Sequence, residues 1–169
     1  LNRSLYRCRR FPNEWVHDSV LMHGRFVDTT LWQVEDLWWL ATTSAEPAPG
    51  AGFLWLYYSS SPKGTWRFHP ANPISTDIRT SRSAGRVFRH DHQLIRPSQS
   101  GAPTYGYSLN FHEITELTPD CYAERLMKTI GPEPWPGLAG VHTYNRSAQL
   151  EFIDGRTPVS LERLRNSHA

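Results

Sequence analysis

The chain has 169 residues, which is enough for one domain with a buried core. Its 18 Lys and Arg residues nearly balance its 16 Asp and Glu residues, so charge gives no indication of a nucleic-acid or membrane partner. Cys8 and Cys121 lack a metal-binding spacing, and they predict buried, reduced thiols in a cytoplasmic protein.

Short runs of β-branched and aromatic residues, separated by turn residues, predict an all-β fold. A short helix is predicted only at residues 159–166, where Leu161 and Leu164 lie on one face. The whole chain, 1–169, is predicted to be one propeller-like domain. Before the helix, its parts in chain order are an outer strand pair at 4–22, a four-strand blade at 25–70, a second blade at 80–130 and an inner strand pair at 138–154.

Repeated antiparallel units with almost no helix between them are typical of a β-propeller or a sandwich. The first and last strand pairs together would make one more blade, which gives about three blade equivalents where propellers normally have about 4–8. Such a partial propeller leaves unpaired strand edges. We therefore expect a homodimer, in which two chains close a ring or pair their open edges. The alternative is a fragment or truncated product whose missing blades come from another polypeptide.

Three polar residues occupy equivalent places at the starts of predicted inner strands: Asp28, Arg82 and His142. In a propeller these starts meet at the mouth of the central channel, so we expect the three side chains to converge there. Asp28 is either an acid that meets a substrate or a turn aspartate bonded to its own backbone. Arg82 either binds a ligand carboxylate or vicinal hydroxyls, or pairs structurally with Asp28 or Asp77.

Two further residues join this candidate site as substrate contacts. Tyr105 offers a ring that stacks on a sugar face, and Gln99 offers an amide; the alternative for both is a structural hydrogen-bond network. The dipeptide Asp154-Gly155 is typical of a turn. The histidines show no convincing ligand spacing, so neither a metal nor any other cofactor is expected.

No Ser-His-Asp order, nucleotide loop or zinc motif occurs in the sequence. Glycoside hydrolysis normally needs two facing carboxyl groups about 5–10 Å apart. Asp28 is the one carboxylate that the pattern assigns to the channel, as the candidate catalytic base. Glu113 and Glu124 lie within predicted strands and are expected to face solvent.

Several short motifs, in order along nearly the whole chain, carry a resemblance to a known family. The chain resembles the propeller domain that lies beside the transferase domain in glucosamine inositolphosphorylceramide transferases, and bacterial relatives of that domain. More distantly it is similar to the five-bladed propellers of arabinanases, xylosidases and levansucrases. The motifs include Leu5-Tyr6-Arg7-Cys8, Val27-Asp28-Thr29-Thr30, Ser81-Arg82-Ser83-Ala84-Gly85-Arg86, Arg96-Pro97-Ser98-Gln99 and Gly140-Val141-His142-Thr143.

The resemblance implies carbohydrate recognition in the channel. In such families further blades precede the Leu5-Tyr6-Arg7 stretch and supply the acid that resembles a hydrolase base, so we expect these N-terminal blades to be absent here. No residue of this chain matches the general acid of the hydrolases.

Three functions are consistent with this pattern. The first is a carbohydrate-binding or degenerate glycosidase-like module. The second is an active glycoside hydrolase or transglycosylase, with Asp28 as base and an acid from a partner chain. The third is a structural remnant that serves only assembly.

Overall fold

A computed structural model describes residues 2–44 and 52–158. These residues form β-strands and contain no helix, which confirms the all-β class; the predicted helix at 159–166 lies outside the described residues. None of the described segments is a helix long and apolar enough to cross a membrane. The strands are β1 (Asn2–Arg10), β2 (Glu14–His23), β3 (Phe26–Val34), β4 (Leu37–Ser44), β5 (Leu54–Ser59), β6 (Arg67–Phe68), β7 (Arg82–Ser83), β8 (Phe88–His90), β9 (Gln93–Gln99), β10 (Leu109–Leu117), β11 (Tyr122–Ile130), β12 (Gly140–Arg146) and β13 (Glu151–Arg156).

The strands form four separate antiparallel sheets, which we number in chain order. Sheet 1 is β1-β2, sheet 2 is β3-β4-β5-β6, and sheet 4 is β12-β13. Sheet 3 has the order β11-β10-β9-β7, and β8 also pairs with β9. Separate sheets of two to five strands, with no closed barrel among them, are consistent with a partial propeller.

Two apolar clusters join successive sheets face to face. The first unites Trp39 and Leu56 of sheet 2 with Val87 and Ile114 on the side of sheet 3. The second unites Leu109 of sheet 3 with Val141 and Tyr144 of sheet 4. Burial of these side chains between neighbouring sheets is the main favourable term that holds sheets 2, 3 and 4 in sequence.

Sheet 1 and sheet 4 present exposed surfaces. Tyr6 and Trp15 of sheet 1 are largely exposed, as is Phe152 on β13. Sheet 1 contacts sheet 2 through an ion pair between Lys63 Nζ and Asp18 Oδ2, 2.7 Å apart. Within one chain the first and last strand pairs form separate sheets, so the further blade that we expected from them is not formed inside the monomer.

Two expectations about exposure are wrong. Cys121 is exposed and Cys8 is half-buried, because one lies in a turn and the other on the two-stranded sheet 1. Glu113 and Glu124 do not face solvent freely: their side chains are 16% and 15% exposed. Each carboxylate is shielded from solvent because it pairs with an arginine of the same sheet. The alternation of residues along the strand does not predict these pairs.

A buried ion pair lies in the middle of sheet 3. The Arg96 side chain is 1% exposed, and its Nε and Nη2 donate to the two carboxylate oxygens of Glu124 at 2.7 and 2.6 Å. Tyr122 donates its hydroxyl to the same carboxylate at 2.5 Å. Burial alone disfavours the charged form of both side chains. The attraction between the two opposite charges outweighs that cost, so the pKa of Arg96 is raised and the pKa of Glu124 is lowered. The pair joins β9 to β11 across β10.

We expect Glu124→Gln to lower the free energy of unfolding by about 3 kcal/mol, because it leaves the buried Arg96 charge unpaired. Glu113→Gln is the matched control: its partner Arg125 lies in solvent, so that loss should be about 0.5 kcal/mol. Urea denaturation of both variants measures the difference. Equal losses would contradict a special cost at Arg96.

Stability should also fall on mild acidification because of His112. Burial and the nearby Arg96 charge lower the pKa of His112 from its ordinary 6.5 to about 4, against a smaller opposing effect of Glu124. Between these values the unfolded chain binds a proton that the folded chain does not, so stability decreases as the pH falls, by up to about 1.4 kcal/mol per pH unit. Urea midpoints measured from pH 7 to pH 4 should show this slope. His112→Gln should flatten it, whereas His92→Gln on the exposed β8–β9 turn should not.

Candidate functional site

An open cavity of about 450 Å³ lies where sheets 2, 3 and 4 meet. Four of the predicted site residues line it: Asp28, Gln99, Tyr105 and His142. The fifth, Arg82, contacts two of these residues. The structure therefore brings all five together. The other lining residues are Thr29, Thr30, Leu31, Ser83, Ala84, Gly85, Arg86, Thr143 and Asn145.

Asp28 reaches the cavity because of a bulge in β3. The register with β4 shifts between Val27 and Thr30, and Asp28 has a positive φ of 51°. A bulge redirects a side chain that would otherwise follow the strand alternation. The Asp28 Oδ2 atom accepts a hydrogen bond from Arg82 Nε at 2.5 Å. Of the two structural partners considered for Arg82, it is therefore Asp28 that binds it, while Asp77 pairs with Arg79 at 2.6 Å.

His142 reaches the cavity by a second bulge, in β12. Val141 pairs with Gly155 and Thr143 with Asp154, so His142 is the extra residue between two paired neighbours. Its Nδ1 lies 2.9 Å from Asp154 Oδ1, and that oxygen also accepts the Thr143 backbone N–H at 2.7 Å. Asp154 lies within β13, so the turn predicted for Asp154-Gly155 is wrong. The carboxylate instead fixes the orientation of the histidine ring.

Tyr105 lies between Arg82 and His142 and contacts both side chains. Arg82 Cζ lies 4.7 Å from the centroid of the tyrosine ring, which is a cation–π distance. The rings of Tyr105 and His142 meet edge to face, with centroids 5.8 Å apart. A continuous series of contacts thus runs from Asp28 through Arg82, Tyr105 and His142 to Asp154. About half of the Tyr105 side chain remains exposed to a ligand.

Close packing of the backbone allows this arrangement at two glycines. Gly106 has a φ of +64°, and a Cβ placed there would lie 2.7 Å from the His142 Cβ. Gly85 has a φ of +131°, and its Cβ would lie 2.0 Å from the Tyr144 carbonyl oxygen. Only glycine fits both the conformation and the space at these positions. They bring the Tyr105 loop and the β7–β8 segment against sheet 4.

The floor of the cavity holds polar atoms without partners. Gln99 and Ser83 are 3% and 2% exposed. Gln99 Nε2 donates to the Ser83 carbonyl at 3.2 Å, but within residues 2–44 and 52–158 neither Gln99 Oε1 nor Ser83 Oγ has a hydrogen-bond partner. Buried polar atoms in this state are uncommon and costly, and both belong to residues that line the cavity.

The side chains around the cavity can form hydrogen bonds, and they offer one aromatic ring for stacking. Asp28 is the sole carboxylate among the described residues that line the cavity, and it is already bound to Arg82. No described group of three or more His, Cys, Asp or Glu side chains could hold a metal ion. Sequence reasoning missed Ser83 and Arg86 as lining residues and Asp154 as the partner of His142. The only signal for the first two is their place in the Ser81-Arg82-Ser83-Ala84-Gly85-Arg86 stretch.

Comparison with known proteins identifies relatives. A family described as "Glucosamine inositolphosphorylceramide transferase 1, N-terminal" matches residues 2–137. The chain is 35% identical over 124 residues to glucosamine inositolphosphorylceramide transferase 1 of Oryza sativa subsp. japonica, in a match that covers 71% of this chain and 17% of that protein. It is 34% identical over 125 residues to the Arabidopsis thaliana protein of the same name, covering 72% of this chain and 16% of the relative. The chain thus spans about a sixth of the length of these curated relatives. No solved structure matches the chain.

Proposed function

We propose that this chain, which belongs to the glucosamine inositolphosphorylceramide transferase 1 N-terminal family, is a carbohydrate-binding module with its site in the cavity around Arg82 and Tyr105. The name of the matched relatives includes a sugar, glucosamine, which supports a carbohydrate-related role. Catalysis of transfer is not part of the proposal, because the chain spans only a small part of those proteins.

The observation that carries the proposal is the pair of unpartnered polar atoms beside an exposed ring. Gln99 Oε1 accepts and Ser83 Oγ both donates and accepts, which suits the hydroxyl groups of a sugar. The Tyr105 ring offers an apolar face to the C–H side of a pyranose. A concave site with a few convergent polar groups and one aromatic wall is the usual form of a small-ligand site.

The same cavity gives less support to glycoside hydrolysis. A hydrolase needs a second carboxyl group to protonate the leaving group, and Asp28 is the sole acid among the described lining residues. The ion pair of Asp28 with Arg82 also favours a positioning role over that of a free base. Asp28 in our proposal holds the Arg82 guanidinium against Tyr105.

We further infer that sheets 2, 3 and 4 are blades of a propeller, in one domain similar to the propellers of arabinanases and levansucrases. Their face-to-face packing in chain order supports this, as does the meeting of Asp28, Arg82 and His142 at strand starts. The cavity would then be the mouth of the channel.

A glycan array followed by calorimetry tests the binding function. We expect the chain to bind a defined set of glycans. Tyr105→Ala should lower its affinity for them about tenfold, because the stacking surface is lost. Trp15→Ala is the matched control: Trp15 is 53% exposed against 46% for Tyr105 and does not line the cavity. It should leave binding unchanged.

Other outcomes of this experiment have defined meanings. If the array shows no bound glycan while circular dichroism shows an intact fold, the carbohydrate-binding proposal is overturned and the structural role in assembly is left. Turnover of an aryl glycoside by the wild type that is lost in Asp28→Asn would establish the hydrolase alternative instead.

We also propose that two copies of the chain pair through their exposed edges. The strand β13 carries Glu151, Asp154 and Arg156, a net charge of −1, and it presents the exposed ring of Phe152. Opposite charge and apolar area are available on sheet 1, so a β1 edge of one copy suits the β13 edge of another. The basic residues of β1 are Arg3, Arg7, Arg9 and Arg10.

Light scattering after gel filtration at micromolar concentration tests this pairing. The wild type should have about twice the chain mass of 19.5 kDa, and Phe152→Lys should have the single mass, because it places a cation opposite the arginines of β1. Leu126→Lys, at a similarly exposed position on β11, should remain a dimer. A wild-type monomer under these conditions would contradict the proposal.

A further inference from the structure

A second open cavity, of about 440 Å³, lies beside the first. It is lined by the end of β3, the segment from β7 into β8, and the end of β12. Arg86 lines both cavities, so they are neighbours that share one side chain. We call the second one the arginine cavity. Its lining residues are Trp32, Gln33, Arg86, Val87, Phe88, Arg89, Leu94, Arg146, Ser147 and Ala148.

The charge of the arginine cavity has one sign. Three of its lining residues are arginines, and none of the described lining residues is acidic. Arg86 and Arg89 have no side-chain hydrogen bond or ion pair with any described residue; the backbone N–H of Arg86 donates to Asn145 Oδ1 at 3.1 Å. The described lining residues include no carboxylate that would offset the repulsion among the three arginines, and an anion would relieve that repulsion.

Arg146 is held in place at the side of this cavity. Its Cζ lies 5.3 Å from the centroid of the Phe88 ring, and its Nη1 lies 3.2 Å from His90 Nδ1. Glu151 Oε1 is 4.0 Å from Arg146 Nη2, at the limit of an ion pair. Most of the donor capacity of Arg146 is therefore unused.

An independent observation at Trp32 also indicates an acceptor in this place. Trp32 lines the cavity and is 5% exposed, and its indole Nε1–H is buried with no hydrogen-bond partner among the described residues. An indole N–H can only donate, so what it lacks is an acceptor atom. An oxyanion supplies that acceptor and the negative charge that the arginines lack.

We propose that the arginine cavity binds a phosphate group. Arginine presents a planar fork of donors that matches phosphate oxygens, and an indole N–H adds a neutral donor. Because Arg86 also lines the first cavity, one ligand can occupy both, with its phosphate among the arginines and its sugar beside Tyr105 and Gln99. The ligand class is then a phosphorylated carbohydrate. The sugar part rests on the proposed function, whereas the phosphate part stands without it.

Titration calorimetry with inorganic phosphate, glucose 6-phosphate and glucose tests the site. The wild type should bind inorganic phosphate, and glucose 6-phosphate more tightly. Arg89→Gln should weaken both about tenfold. Trp32→Phe, which keeps an aromatic ring and removes the N–H, should weaken both several-fold. Arg10→Gln removes one positive charge from the exposed strand β1 and should change neither.

The outcomes separate the two proposals. No phosphate binding to the folded wild type, or an equal loss in Arg10→Gln and Arg89→Gln, would overturn the phosphate site. If phosphate binding depends on Arg89 but glucose 6-phosphate binds no more tightly than inorganic phosphate, the phosphate site is supported. The proposal that the ligand is a phosphorylated carbohydrate is then overturned. If Tyr105→Ala removes only the gain of glucose 6-phosphate over phosphate, both proposals are supported.

A lipid source of the phosphate is tested in a separate arm. Vesicles of phosphatidic acid in phosphatidylcholine are sedimented with the wild type, Arg89→Gln and Arg10→Gln. Binding to these vesicles that only Arg89→Gln reduces, together with no binding of glucose 6-phosphate, would assign the phosphate to a headgroup and overturn the soluble ligand. Equal sedimentation of all three chains would contradict a headgroup source.

Discussion

The Arg96–Glu124 pair is the interaction on which the site depends most directly. Two charges removed from water must remain together, which fixes β9 relative to β11. Arg96 also donates from Nη2 to the Thr80 carbonyl at 3.3 Å, two residues before Arg82. One buried guanidinium therefore ties the strand that ends in Gln99 to the segment that carries Arg82. The ion pair within sheet 3 therefore also fixes the positions of the residues that form the cavity wall.

From this ion pair towards the two cavities, the polar side chains become less buried. Ser98, which shares a 2.9 Å hydrogen bond with His112, is bonded and buried, while its neighbour Gln99 keeps one amide oxygen free. Beyond them Arg86 and Arg89 are exposed, and their side chains make no hydrogen bond or ion pair with a described residue. Hydrogen-bonded groups fix the register of the sheet, and in our proposal the unpartnered groups at its margin bind the ligand.

Particular residues show how much of the site could be predicted from the sequence. Asp28, Arg82 and His142 could be assigned to one place because each lies at the start of a predicted inner strand, and the structure brings them together. The bulges that direct Asp28 and His142 into the cavity could not be predicted, because a bulge depends on the partner strand. Glu124 was misjudged for a similar reason: its cover comes from Arg96, two strands away. The dimer and the cytoplasmic location stay predictions.

The sequence by itself determined the all-β class, the antiparallel units and the polar residues at the strand starts, because these follow from alternation, turn residues and spacing along the chain. Only the tertiary structure decided which partner Arg82 takes and that Trp32 has no acceptor in the described part of the chain. It also decided that Arg86, Arg89 and Arg146 line one cavity. The reason is physical: a hydrogen bond or a shared cavity depends on distances between atoms of different sheets, and no pattern within a single strand encodes those distances.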